Sequence, residues 1–167
     1  MEYEKTVSIR RAGPGDAGRI MEIYRTAQDA MIRNGNPTQW GHFYPTRELV
    51  DSDIASGISY VLETDRVHAV FVLISGEEPT YGYIENGAWR NDGPYLTVHR
   101  VASDGTLRGV VSDVLDFCKT LSGNIRIDTH HNNHIMQHQI EKNGFVSCGT
   151  IYVEDGSPRI AYQWINE

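Results

Sequence analysis

Hydrophobic and polar positions along this chain change period repeatedly, and each change marks an expected element. Val7 and Ile9 alternate with Ser8 and Arg10, a two-residue period that predicts a strand, which Ala12-Gly13-Pro14-Gly15-Asp16 interrupts. Ile20, Ile23, Tyr24, Ala27, Ala30 and Met31 then fall at steps of three and four, predicting an amphipathic helix from an Asp16 cap to the Asn34-Gly35-Asn36-Pro37 stop. Thr38 to Pro45 reads as a loop, and Thr46 caps a shorter helix ending near Ala55. Ser59–Glu63 and Val67–Ser75 are two apolar runs joined at Thr64-Asp65-Arg66, a hairpin.

Glu77 to Asp92 is rich in turn residues, with Tyr81–Ile84 as its one candidate strand, and Tyr95–Ala102 is the next clear strand. A turn-forming Ser103-Asp104-Gly105 leads into a helix whose apolar face carries Val110, Val111, Val114, Leu115 and Cys118. Ile125 and Ile127 alternate with Arg126 and Asp128 in a short strand. Ile135, Met136, Gln139, Ile140 and Asn143 then return to helical spacing, ending at Gly144, where a helix terminus favours a residue free to adopt positive φ. Phe145–Glu154 and Arg159–Ile165 are strands separated by Asp155-Gly156-Ser157-Pro158. The expected order is therefore β, α, α, β, β, β, α, β, α, β, β, with no repeat, low-complexity tract or linker.

The segment Ile125 to Gly149, strand, polar loop, Asn-led helix and Gly144-Phe145 turn, resembles the second half of the acetyl-CoA site of the GNAT acyltransferases, and the element order resembles that family over nearly the whole chain. The resemblance implies a single α/β domain over 1–167, with a central mixed, mostly antiparallel twisted sheet flanked by helices. It also implies a splayed parallel strand pair that forms the acyl-CoA site, between the strands around His99 to Ala102 and Arg126 to Asp128. The pantetheine arm of acetyl-CoA, the co-substrate, would complete the backbone hydrogen bonds left open there, near Val101, Ala102 and Ser103. The pyrophosphate would sit on Gly105, Thr106, Arg108, Gly109 and Val110, at a helix N-terminus whose unpaired N–H groups and dipole favour anions. Thr106 to Val111 shares only the central Gly109 with the family's Arg/Gln-x-x-Gly-x-Gly/Ala loop; Gly105 and Arg108 are candidates to substitute in part. Asn133 matches the helix-opening asparagine expected to reach pantetheine, and Asn is equally suited to be a simple N-cap.

The implied activity is acetyl transfer from acetyl-CoA to a primary amine of a small molecule or protein by direct attack in a ternary complex. The alternative is a non-catalytic acyl-CoA-binding or regulatory protein on the same fold. Many family members place a tyrosine just ahead of the Glu-Lys-x-Gly-Phe turn to protonate the departing thiolate; here Ile140 stands there, and Tyr152 and Tyr162 are the candidate substitutes. His99, on the splayed strand, and Glu85, in Tyr83-Ile84-Glu85-Asn86-Gly87, are the candidate general bases, each working through a water. Alternation puts Tyr95, Thr97, His99 and Val101 on one face and Leu96, Val98, Arg100 and Ala102 on the other. The bland alternatives are a structural histidine and a solvated turn glutamate. Trp40, Phe43, Tyr44 and Trp89 lie in expected loops, as pocket walls or as core packing.

Composition narrows the partners. At 167 residues the chain suits one domain that buries roughly two-thirds of its unfolded surface. A net charge of -7 and an Arg10-Arg11 pair as the only adjacent cations argue against nucleic acid or an anionic membrane, and favour cationic amines. Cys118 and Cys148 are too few for a disulfide framework and fit buried reduced thiols of a cytoplasmic protein. The first eleven residues lack a continuous apolar core and no run of about 18 apolar residues occurs, so an unexported chain with no membrane span is expected. His130, His131, His134 and His138 include an i, i+4 pair, but the glutamate of a His-Glu-x-x-His site is missing, and no metal is expected. The fold accommodates a homodimer, with no exposed apolar stripe in the sequence to specify one.

Overall fold

In the computed structural model, which describes residues 6–167, the elements follow the expected order. They are β1 (Ser8–Arg11), α1 (Ala17–Arg33), α2 (Arg47–Ala55), β2 (Ser59–Glu63), β3 (Val67–Ser75), β4 (Leu96–Ser103), α3 (Val110–Leu121), β5 (Asn124–Thr129), α4 (His134–Lys142), β6 (Val146–Tyr152) and β7 (Pro158–Ile165). One seven-stranded sheet runs β1-β2-β3-β4-β5-β7-β6, antiparallel throughout except for the parallel pair β4–β5. The reading of the first eleven residues as leader-free falls partly on residues 1–5, outside the described span. No described helix is long and apolar enough to cross a membrane.

Strand alternation sorts the core into two faces. Val61, Val70 and Ala102 meet Ile20, Ile23 and Tyr24 of α1 and Val50 and Ile54 of α2. Leu62, Phe71, Val98, Ile125, Ile127 and Tyr162 meet Val114, Leu115 and Cys118 of α3 and Ile140 of α4. Beyond α1 and α2, the first face is covered by the β3–β4 connection, where Tyr81, Trp89 and Tyr95 pack with Ile151 and Ala161. Arg126 anchors this cover by stacking its guanidinium on Trp89 and Tyr95, 4.2 and 4.0 Å from the ring centroids. Burial pushes the Cys118 thiol up to about 12 and also raises Cys148, so both cysteines are protonated at neutral pH.

Three local expectations are corrected. Tyr81–Ile84 is not a strand: Pro79–Tyr81 forms a 3-10 turn, and the segment's sheet contact is a single bridge between Glu85 and Thr150. That bridge presses the connection so tightly on β6 that a Cβ at Gly87 would clash with the Cys148 carbonyl oxygen. Asp16 does not cap α1 with its side chain; the carboxylate accepts from Arg10 and from the Gly13 N–H instead. The third correction is a β-bulge, described next, because it shapes the candidate site.

Candidate functional site

β4 and β5 pair only over Leu96–Ile125, Thr97–Arg126 and Val98–Ile127. Beyond Val98 they part, so the β5-facing edge of β4 from His99 to Ser103 has no strand partner, while β5 continues to pair with β7 as far as Thr129. The departure coincides with a bulge on the other edge of β4. Val72 opposes His99 and Val70 opposes Ala102, leaving Arg100 and Val101 together against Phe71. Arg100 takes the left-handed conformation there, φ 49°. The extra residue breaks the simple alternation read from the sequence: His99 shares its face with Ala102, and Val101 turns to the α3/α4 side to pack beside the cluster holding Val98.

Two helices hold the bulge. Tyr24 of α1 donates its hydroxyl to the Arg100 carbonyl at 3.2 Å, and Arg100 Nη2 donates to both carboxylate oxygens of Asp53 on α2 at 2.9 Å. Arg100 Nη1 reaches the Tyr44 hydroxyl at 3.3 Å. Tyr44 in turn packs against Trp40, which packs edge-on to Tyr24.

The opening between the strands joins two cavities. One, of about 590 Å³, runs from Val98, Val101 and Ile127 past His99 and Asp128 to Glu78 and Arg159, with Trp40 and Tyr44 on one wall. The other, of about 210 Å³, lies between α1 and the N-terminal ends of α3 and α4, over Ala102, Ser103, Val110 and Val111. Met31, Val101, Asn133 and Met136 border both.

The loop entering α3 is shaped by its own side chains. Ser103 Oγ accepts from the Gly105 N–H, and Asp104 Oδ1 accepts from both the N–H and the hydroxyl of Thr106. Asp104 is tied to Arg19 at 2.6 Å and to His68 at 3.2 Å. Burial opposes its charge, but hydrogen bonds from Thr106 and His68 prevail and hold its pKa down. Gly109, at φ 70°, is the left-handed N-cap of α3, and the next N–H groups, in the first helical turn, have no intrahelical acceptor. Thr106 therefore spends both its donors within the protein, whereas Val110 lines the smaller cavity and Arg108 is exposed with no ion pair among the described residues. Asn133 is the N-cap of α4: Oδ1 accepts from Met136 N at 3.1 Å while Nδ2 donates to Gln39 Oε1 at 3.1 Å.

His99 lines the larger cavity, with Nε2 3.0 Å from Glu78 Oε2. That contact holds the Glu78 carboxyl below its usual range. Glu78 is fixed further by Thr80, whose hydroxyl donates to Oε1, and by its own N–H, which donates to the Tyr95 hydroxyl. Opposite His99, Asp128 accepts the Tyr81 hydroxyl at 2.6 Å, and burial raises its carboxyl pKa. Glu85 is not brought to this place. It sits at the β6 edge, outside both cavities, and its two oxygens accept from Tyr83 and Tyr152, which keeps it charged. Tyr152 is thereby engaged away from the cavity, and Tyr162 is buried on the α3/α4 face with its hydroxyl on Glu141. The tyrosine lining the larger cavity is Tyr44. Of the other loop aromatics, Phe43 is exposed and Trp89 donates to the Tyr81 carbonyl.

Sequence reasoning missed Glu78 and Arg159. Glu78 stands before Pro79 in a turn-rich segment, and only the folded connection brings it to His99. Arg159 opens a strand after a turn, where an arginine ordinarily faces solvent, yet it is buried in the cavity wall. The histidine group does not converge: His130 stacks on His131 and reaches Thr38, and no described cluster of three or more His, Cys, Asp or Glu could hold a metal.

These residues fit acetyl-CoA. The unpaired β4 edge offers backbone groups to an extended arm, the smaller cavity leads from it to the α3 N-terminus, and the buried Thr129 hydroxyl beside the opening lacks a partner.

Known proteins of similar structure share this architecture. A GNAT-family acetyltransferase from Streptococcus agalactiae 2603 superposes with a TM-score of 0.89 and 31% identity, covering 99% of this chain and 98% of its own. A putative acetyltransferase from Staphylococcus aureus Mu50 follows at a TM-score of 0.68 and 22% identity, covering 95% and 99%. The putative acetyltransferase yncA from Salmonella typhimurium, solved with its cofactor acetyl-CoA, has a TM-score of 0.62 and 13% identity over 96% and 94%, a likeness of fold alone. No protein-family model matches the sequence, and no curated protein sequence does.

Proposed function

This chain belongs to the GNAT family of acetyltransferases, and from that premise we propose that it transfers the acetyl group of acetyl-CoA to a primary amine in a ternary complex. The observation that carries this reading is the β4–β5 opening beyond Val98, flanked by two cavities that meet at Val101, Asn133 and Met136. Acetyl-CoA supplies the activated thioester. The β4 edge around Val101 to Ser103 would hold its pantetheine arm, and the first turn of α3 after Gly109, with Arg108, its phosphates. Asn133 would offer Nδ2 to the arm by releasing Gln39, while its Oδ1 keeps capping α4.

In the acceptor cavity, the Glu78 carboxylate accepts from the His99 Nε2–H and fixes the ring, which leaves Nδ1 to accept a proton from the amine through a water. We assign the base to His99 rather than Glu85, whose oxygens are both occupied outside the cavity. The Tyr44 hydroxyl accepts from Arg100 and so has its own proton to give, which makes it the candidate acid in place of the family's missing tyrosine. Attack is direct, since the buried, protonated cysteines are unsuited to carry an acyl group.

Binding without turnover is favoured by one observation, the fully buried Ile140 where many relatives carry the acid. Thiol release from acetyl-CoA with a panel of primary amines separates the two. Amine-dependent release is expected, and His99→Ala should lower it by about 10² to 10⁴, the usual worth of a general base. Tight acetyl-CoA binding with no release above hydrolysis for any amine would establish the binding role instead.

A further inference from the structure

The acceptor cavity contains a buried cation that no carboxylate contacts, with Asp128 and Asp155 acting on it only at longer range. Arg159 is 7% exposed and lines the cavity, yet its one hydrogen bond runs from Nη1 to the neighbouring Pro158 carbonyl, and no carboxylate oxygen among the described residues lies within 4.0 Å. Burying a guanidinium without pairing it is costly. The nearest acids are turned elsewhere: Asp128 accepts the Tyr81 hydroxyl, and Asp155 accepts the Ser157 N–H to close the β6–β7 turn.

Strand register places this cation relative to the proposed base. On the same face of the sheet, β4 presents His99 with Glu78, β5 presents Asp128, and β7 presents Arg159 two residues from the Asp128 partner Ala161. Two strand spacings are about 10 Å, widened a little by the opening. Around the base the cavity presents Glu78 and Asp128, and at its other end, beside Glu154 and Asp155, it presents guanidinium donors in the planar arrangement that matches a carboxylate.

We propose that the acceptor is an amino carboxylate, an amino acid or a close analogue, with its carboxylate on Arg159 and its amine between His99 and Asp128. The assignment rests on the transfer reading above for the role of that amine. A carboxylate is favoured over a phosphate because Glu154 and Asp155 also line this end of the cavity, and a single guanidinium among them suits one negative charge better than two.

The test uses the full chain with the proteinogenic amino acids, their amides and the matching decarboxylated amines as probes. Ligand-observed NMR binding to the CoA-loaded protein is read together with thiol release. Some amino acids should bind, while their amides and amines bind about 10- to 100-fold more weakly, the worth of hydrogen bonds to a charged group. Arg159→Gln should abolish that preference by raising the amino-acid KM with acetyl-CoA affinity unchanged, and Arg159→Lys should restore part of it. Thermal unfolding confirms that the variants fold. Equal binding of amino acids and amides, or a preference that survives in folded Arg159→Gln, would overturn the proposal even if amines are acetylated. Carboxylate-dependent binding without thiol release would instead sink the transfer reading and leave the ligand class standing.

Discussion

Removing Asp53 should do more damage than its distance from the chemistry suggests. Arg100 and Asp53 form an ion pair in which Nη2 meets both carboxylate oxygens, with side chains only 12% and 6% exposed, and burial raises the Asp53 carboxyl despite its partner. Asp53→Ala leaves the guanidinium buried and unpaired, which costs about 3 to 5 kcal/mol. For a chain of this size that is a fall in Tm of about 6 to 20 °C. The pair also holds Arg100 in a left-handed conformation that itself costs roughly 1 to 3 kcal/mol. Losing it should therefore relax the bulge and weaken acetyl-CoA binding as well. Chemical denaturation with calorimetric acetyl-CoA titration reads both effects. In an Arg100→Gly background the same Asp53→Ala change should cost less than about 1 kcal/mol, a coupling of at least about 2 kcal/mol. Equal losses in the two backgrounds, or a loss below about 1 kcal/mol in the parent, would refute the claim that this pair holds the bulge.

Gly109→Glu puts a left-handed glutamate and a negative charge where the phosphates are proposed to sit; since a Cβ there has open space, the variant should fold and lose at least about tenfold in acetyl-CoA affinity by calorimetry, with Gly109→Asn affected less. Asp128 has a carboxyl pKa raised by burial, so the folded chain binds that proton more tightly than the unfolded chain, and ionisation costs stability above the unfolded value of about 4. Asp128→Asn should consequently raise Tm at pH 7, the gain shrinking as pH falls and vanishing near pH 3; a pH-independent gain would argue against ionisation as its cause. Cys118→Ala and Cys148→Ala should each leave turnover per folded molecule within about twofold in thiol-release assays, whereas an acetyl-cysteine adduct seen by mass spectrometry would point to a covalent route.

Much of the architecture was readable because periodicity reports burial directly. Val61 and Leu62 alternate to opposite faces, and Ile20, Ile23, Tyr24 and Ala27 make one stripe, so strands and helices could be placed before any contact was known. The Thr46 cap and the β2–β3 hairpin were legible for the same local reason. The bulge was not, since an extra residue leaves the composition of β4 unchanged, and Arg100 gives no sign of positive φ as a glycine would. The sites depended on long-range placement. His99 was found because its strand is part of the opening, but its partner Glu78 and the cation Arg159 arrive through a connection and a turn whose paths local pattern does not encode. Tyr152 and Tyr162 illustrate the converse: chain position made them candidates, and packing gives both hydroxyls to glutamates elsewhere.

The central claim is that the unpaired β4 edge receives the pantetheine arm. Amide hydrogen exchange of the protein with and without saturating acetyl-CoA tests it at the residues concerned. Protection should rise in His99 to Ser103 and in the first turn of α3, with β1 and β2, far from the opening, changing little. Acetyl-CoA that binds by calorimetry yet leaves His99 to Ser103 unprotected, or that protects only the β6 edge, would contradict the account.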